Sequence, residues 1–530
     1  MTEQNSGVSR RKLFHMIGTA AGSAMMYQAM GELGYAAESG YAGPVKLSGD
    51  VKGATVLVLG GGVAGLTAAL EMRDAGYKVQ LLEYQNRPGG RSWSIRGGDT
   101  VTELGGFTQK CQFDSGFYIN PGPMRIPHHH YALMDYCRRL NVALEPFNIV
   151  NYNAYIHNSK AFGGKPKRYR EVQADFDGYV AELLAKCTAQ NKLDESVTKE
   201  DREILLSALR QWGALDKDYK YKKSEHVSNR RGFASDPGGG LTGKPVDSEP
   251  DAMSDMLKGG MWNSIAGSHE FDYQAVMFQP VGGMDMIGKA FARELGDIIK
   301  YNCKVTDIKQ DANGVTVTYV DTLKGGPAQT ATAQWCVNTI PTTILSQLPM
   351  NISTKLRNAI NALPYTPGFK AGLQFKRRFW EEDDKIYGGL SYTDLQTAII
   401  GYPNTQYQTK GKGVLLGGYT FGPHAYELTS MAPEERIKRC LEVGRQIHPQ
   451  YDQEFENGVS VGWHRIPWTM GCFGQWTEAN RERHYANLCA IDGRMVLAGE
   501  QCSYLPAWQE GSITSALDAI TRIHQRVMAA

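Results

Sequence analysis

Three groups of residues in this chain have types and spacings suited to chemistry. Gly60, Gly62 and Gly65 form a G-x-G-x-x-G run. The first glycine permits a tight turn, the second lets a pyrophosphate approach the backbone, and the third allows a helix to pack closely on a strand. The helix that starts there offers free N–H groups and a positive dipole end to phosphate. Glu83 can accept two hydrogen bonds from a ribose diol and would repel a 2′-phosphate, so FAD or NAD is expected and NADP is not. Arg125 sits in Gly122-Pro123-Met124-Arg125-Ile126-Pro127. The flanking prolines stiffen the chain and suit the arginine to a preorganised anion clamp. Lys370 interrupts the apolar Phe369-Lys370-Ala371-Gly372-Leu373, where a lysine is costly unless it has a role.

The elements that must position these groups are legible from periodicity. Residues 54–59 are short, apolar and β-branched, as expected of a strand buried on both faces. A helical pattern follows from Ala64 to Met72 and ends at Asp74-Ala75-Gly76, and residues 78–82 form a second strand closing on Glu83. The glycine run therefore lies in a βαβ unit. Residues 304–308 and 315–319 alternate as strands, with Asn313-Gly314 as a hairpin signal. Residues 333–340, 414–419 and 493–497 read as further strands. Residues 161–269 are polar and helical, with Phe176, Tyr179, Leu183 and Leu184 spaced as one apolar stripe. Residues 235–249, rich in Gly, Pro, Asp and Ser, interrupt this block as irregular chain. Gly238 to Lys244 imitates a phosphate loop, but Pro245 stands where a Ser or Thr is required and no strand leads in.

At 530 residues, 42% hydrophobic and 21% charged, the chain suits two or three globular domains. A net charge of +2 without a basic stripe gives no sign of nucleic-acid binding. Nine scattered cysteines form neither a disulfide framework nor a zinc pattern. His128, His129 and His130 cannot all face one metal, and no carboxylate stands at helical spacing to them, so they read as a helix start and no metal is expected. Ser9-Arg10-Arg11-Lys12-Leu13-Phe14, a weakly apolar run and small residues near Tyr35-Ala36-Ala37 resemble a twin-arginine export signal over 1–37. A periplasmic or secreted protein is expected, or a cytoplasmic one if that leader is not used. No stretch is apolar for long enough to give a stable membrane span.

Glu83 is followed by Arg87-Pro88-Gly89-Gly90-Arg91, which resembles the E…R-x-G-G-R signature of the flavin amine oxidases, a family that wraps an extended FAD. The Gly122 to Pro127 motif is similar to the G-P-M-R-[LI]-P of the L-amino acid oxidase branch, and motifs run in the family order from Gly60 to Trp508. The resemblance implies an α/β fold in three parts. A Rossmann-like FAD-binding domain of the GR2 type would comprise 52–91, 282–360 and 487–530. A mixed-sheet substrate-binding domain would comprise 92–160, 270–281 and 361–486, with an inserted helical domain at 161–269. It implies FAD contacts at Gly60, Gly62, Ala64, Gly65, Glu83, Gly90, Arg91, Gly122, Met124, Arg125, Val305, Gly499, Glu500, Ser512 and Ile513.

For the substrate, the resemblance implies that Arg125 and Tyr419 grip an α-carboxylate and that carbonyls near Ala507 take the amine. Trp508 would cover one face. Ala507 replaces the family's glycine, which narrows the space beside that carbonyl. Lys370 would hold a water near flavin N5 and stabilise superoxide, and His269 would line the entrance. Cys472 stands where monoamine oxidases bond their flavin, but in an amino-acid oxidase it reads as a buried thiol. The implied activity is FAD-dependent oxidative deamination of L-amino acids, by hydride transfer from Cα to flavin N5 and reoxidation by O2. The products would be a 2-oxo acid, ammonia and hydrogen peroxide. The alternatives are an amino acid 2-monooxygenase, an amine or polyamine oxidase, for which Arg125 has no carboxylate to bind, and a flavoprotein without turnover. The implied partners are an L-amino acid and O2, with assembly as a homodimer or higher homo-oligomer.

Overall fold

The computed structural model describes residues 39–190, 198–267 and 270–529. The export-signal segment 1–37 and His269 lie outside the described residues. The strand Thr55–Leu59 occupies the centre of a five-stranded parallel sheet in the order Ile299–Lys300, Lys78–Leu82, Thr55–Leu59, Trp335–Asn338, Met495–Leu497. Its apolar run follows from burial on both faces. Val56 and Val58 join a cluster with the helices Val63–Asp74, Asp285–Leu295 and Gln509–Met528. Leu57 and Leu59 join a cluster on the opposite face with Ile308, Val317, Ile360 and Leu488. Those last residues belong partly to an antiparallel sheet of Cys303–Gln310, Val315–Asp321 and Gln329–Ala333, turned at the Asn313-Gly314 hairpin.

A second sheet has seven strands in the order Lys167–Arg168, Tyr155–His157, Leu390–Thr393, Ile399–Gly401, Gly413–Phe421, Gly368–Phe375, Phe455–Gly462. Gly368–Phe375 is buried at every residue, and its Lys370 sits opposite Tyr419 on one neighbour and Val461 on the other. A small three-stranded sheet pairs Met277–Pro280 with Ile126–Pro127 and with Leu144–Phe147. That pairing brings the chain just before 277 against the chain carrying Arg125.

The helical block packs differently from the apolar stripe expected of it. In the helix Tyr169–Ala189, Leu183 and Leu184 are 45% and 37% exposed, and the buried face is Tyr169, Val172, Asp175, Gly178, Ala181, Ala185 and Thr188. An ion pair lies at the centre of this face. Asp175 accepts from Arg231 Nε at 2.9 Å, from Tyr221 at 2.7 Å and from the Asp251 amide at 2.8 Å. A polar anchor with small neighbours lets the helices Lys199–Trp212 and Glu225–Arg231 approach, and periodicity of large apolar residues misses it. Within the irregular stretch 235–249, Ser235 and Val246 bridge as an antiparallel pair.

Candidate functional site

The C-terminal ends of Thr55–Leu59 and Trp335–Asn338 face a cleft whose empty space, open solvent at its mouth included, is about 1510 Å³. The glycine run forms one wall. Gly60 adopts φ +99°, and a Cβ on Gly65 would lie 1.9 Å from the Gly60 carbonyl oxygen, so neither position admits a side chain. A Cβ on Gly62 would meet no atom within 4 Å. Gly62 is the N-cap of Val63–Asp74, no side chain caps that helix, and its first turn carries no acid. A helix N-terminus without a side-chain cap, beside open space, is what a diphosphate requires. Gly90, at φ +55°, passes 3.1 Å from the Gly62 Cα when a Cβ is built on it, so the R-x-G-G-R loop closes over the glycine run. Glu83 is buried behind this loop. It accepts from the Gly61 amide and, at 2.7 Å, from the Gln85 amide, and burial holds its pKa above the usual carboxylate range.

Arg91 donates to the Cys472 carbonyl at 2.6 Å and to Glu500 Oε1 at 2.9 Å, and Glu500 also accepts from the Gly474 amide at 3.2 Å. Gln509 and Ser512, in the first turn of Gln509–Met528, line the cleft. The neighbouring Glu510 is fully buried and accepts from the amides of Ala132 and Leu133 at 2.9 and 2.8 Å. It thereby caps the helix Tyr131–Arg139 and fixes the chain that follows Arg125.

The other end of the cleft is cationic and aromatic. Arg125 is 5% exposed, with its guanidinium 4.8 Å from the Tyr273 ring centre and 5.3 Å from that of Trp508. Lys370 Nζ donates to the Gly122 carbonyl at 2.5 Å and to that of Asn120 at 3.3 Å, and it lies 4.2 Å from the Tyr419 ring centre. Burial, and then the charge of Arg125, push the Lys370 ammonium down to about 7. This lysine can therefore hold or release a proton near neutral pH. Burial pushes the Cys472 thiol up to about 12, which keeps it protonated. Ala507 adopts φ +68°, a left-handed conformation that costs an L-residue about 1 kcal/mol.

Of the residues singled out in the sequence, Gly62, Ala64, Arg91, Gly122, Met124, Arg125, Lys370, Tyr419, Gly499, Glu500, Ala507, Trp508 and Ser512 line the cleft. Gly60, Gly65 and Gly90 shape the wall from behind, and Glu83 braces it through Gly61. Val305 is buried opposite Tyr319 in the antiparallel sheet, and Ile513 lies in the helix–sheet core. Sequence reasoning passed over Asp272, Tyr273, Phe421, Phe473 and Trp476, which also line the cleft. Asp272 and Tyr273 carry no local motif; only the long-range pairing of Met277 with Pro127 places them beside Arg125. The same pairing supplies the carboxylate that helical spacing had denied to the histidines: His129 Nε2 lies 3.1 Å from Asp272 Oδ1.

Comparison with known proteins accords with this geometry. The sequence profile of the flavin containing amine oxidoreductases matches residues 63–524. The chain is 28% identical over 479 residues to an L-amino-acid oxidase of Siganus canaliculatus, spanning 89% of this chain and 86% of that protein. It is 28% identical over 484 residues to an L-amino-acid oxidase of Vipera ammodytes ammodytes, spanning 89% and 92%. Among solved structures, cyclohexylamine oxidase from Brevibacterium oxydans superposes with a TM-score of 0.59 at 17% identity, covering 90% of this chain and 99% of that one.

Proposed function

We propose that this chain, which belongs to the flavin containing amine oxidoreductase family, oxidatively deaminates L-amino acids. FAD is the family's cofactor, and the glycine wall, Glu83, Arg91, Glu500 and the start of Gln509–Met528 are the residues that would hold it. When bound, FAD supplies the two-electron acceptor for oxidising a C–N bond and passes the electrons to O2.

The chain's own residues do the rest. Arg125 binds the substrate α-carboxylate through charge-assisted hydrogen bonds, which its burial strengthens. Tyr273 and Trp508 flank its guanidinium and exclude water from the pair. Trp508 and Tyr419 hold the amino acid by its faces, and the Ala507 carbonyl accepts from its amine. Lys370 keeps a mobile proton at Nζ beside this pocket. The net reaction takes an amino acid, O2 and water to a 2-oxo acid, ammonia and H2O2. One observation carries the choice of substrate class: a buried arginine held between Pro123 and Pro127 at the cationic, aromatic end of the cleft. An amine lacks the carboxylate that this arginine's planar, bidentate donors are suited to bind.

The test is anaerobic mixing of the holoenzyme with L-amino acids, their D-forms and their decarboxylated amines while flavin absorbance is followed. Bleaching by L-amino acids alone supports the proposal, and bleaching by amines alone contradicts it. Admission of air then separates an oxidase, which gives peroxide and 2-oxo acid, from a monooxygenase, which gives the amide.

A further inference from the structure

Beside the cleft lies a polar cluster that the deamination chemistry does not use. His129, His130 and Asp272 are 1%, 1% and 3% exposed, and each can offer one ligand atom such that all three lie within 4.8 Å of one another. Both ring nitrogens of His129, His130 Nε2 and Asp272 Oδ1 are buried and make no hydrogen bond. A buried polar atom left this way costs about 1–3 kcal/mol. An ion pair between His129 and Asp272 accounts for two of these four atoms and leaves His130 Nε2 and His129 Nδ1 unexplained.

We propose that His129, His130 and Asp272 form a binding site for one divalent transition-metal cation of the zinc class. Two imidazoles and a carboxylate match the donor sets of such ions, whereas Ca²⁺ and Mg²⁺ require oxygen ligands. The 3.1 Å between His129 Nε2 and Asp272 Oδ1 is close to the ~3.3 Å separating two ligands of a tetrahedral zinc with bonds of ~2.0 Å. The third ligand closes onto the ion by a side-chain adjustment. The charge of Arg125 opposes the cation, and the carboxylates of Asp272 and Glu510, both facing His129, offset it. Asp272 lines the cleft, which gives an ion its route in. His130 meets the Trp508 ring edge-on at 5.0 Å, so an occupied site steadies an aromatic wall of the cleft.

The experiment uses the FAD-loaded full chain, stripped with a chelator and dialysed against Zn²⁺, with metal and flavin measured per chain. One Zn²⁺ per chain is expected, with affinity falling more than ~100-fold in His129→Gln, His130→Gln and Asp272→Asn, since even outer-shell changes cost 10–100-fold. Stoichiometric binding that the three substitutions leave unchanged overturns the proposal, as does no binding to the wild-type protein. Where a substituted chain loses its flavin or melts early, Co²⁺ in the wild-type holoenzyme decides. Intense visible bands of a four-coordinate ion support the site, and the weak bands of the aqueous ion refute it.

Discussion

Replacing Lys370 by methionine isolates the energetic cost of a cation in the middle of a sheet. The side chain is buried in Gly368–Phe375, and its pKa falls from 10.5 to about 7. At ~1.36 kcal/mol per pH unit, the charged form is penalised by about 5 kcal/mol. Below about pH 7 the folded and unfolded chains both hold the proton, and the folded state bears the whole penalty. Between about 7 and 10.5 the unfolded chain binds more protons, so the wild-type protein gains stability as pH rises through this window. Methionine has nearly the same length and no charge. Lys370→Met therefore stabilises the fold most at pH 6, and its advantage shrinks as pH approaches 10. The carbonyls of Asn120 and Gly122 lose their donor, which offsets about 1–3 kcal/mol and leaves a net gain of a few kcal/mol at pH 6. The assay is thermal unfolding of wild-type and Lys370→Met holoenzyme in parallel at pH 6, 7.5 and 9, because groups common to both cancel in the difference. A difference that does not vary with pH refutes the buried ammonium, whatever the substitution does to turnover.

Gly62→Ala adds a methyl where the protein offers no contact within 4 Å, so flavin content per chain falls while the apoprotein melts as before; an unchanged flavin content contradicts the assignment of that space to the cofactor. Ala507→Gly relieves a left-handed alanine and raises stability by about 1 kcal/mol in thermal unfolding, and a loss would mean that the Ala507 methyl packs usefully. Arg436→Met strands Glu103, to which Arg436 donates at 2.6 and 2.8 Å in a fully buried bidentate pair. Denaturant unfolding shows a loss of about 3–5 kcal/mol, and a neutral result would show that Arg465, 3.1 Å from the same carboxylate, suffices alone.

The βαβ unit was legible because its signals are local. Residues 54–59 and 78–82 match the strands Thr55–Leu59 and Lys78–Leu82, Gly60 shows the positive φ of a tight turn, and Gly65 shows the close approach of helix to strand that its place in the run suggested. Arg125 and Lys370 stood out because a proline frame and an apolar strand make a charge conspicuous. The rest depends on distant chain. Tyr273 reaches Arg125 through a strand pairing between 277 and 127, and Glu510 caps a helix nearly four hundred residues earlier in the chain. The helical block hid its anchor because Asp175 and Arg231 satisfy each other, so a polar residue occupies the face where periodicity looked for leucine. The histidine cluster escaped for the same reason as Tyr273, since its carboxylate arrives from 272.

The substrate class rests on Arg125, and one measurement addresses it directly. It is the ratio of kcat/KM for an L-amino acid to that for the amine left by its decarboxylation, in wild-type and Arg125→Met holoenzyme. The wild-type ratio is expected to be large, and to collapse by ~10²-fold or more when the charge is removed, as a buried charge pair worth about 3 kcal/mol or more requires. A ratio near one in the wild-type enzyme, or one that survives Arg125→Met, contradicts the carboxylate clamp.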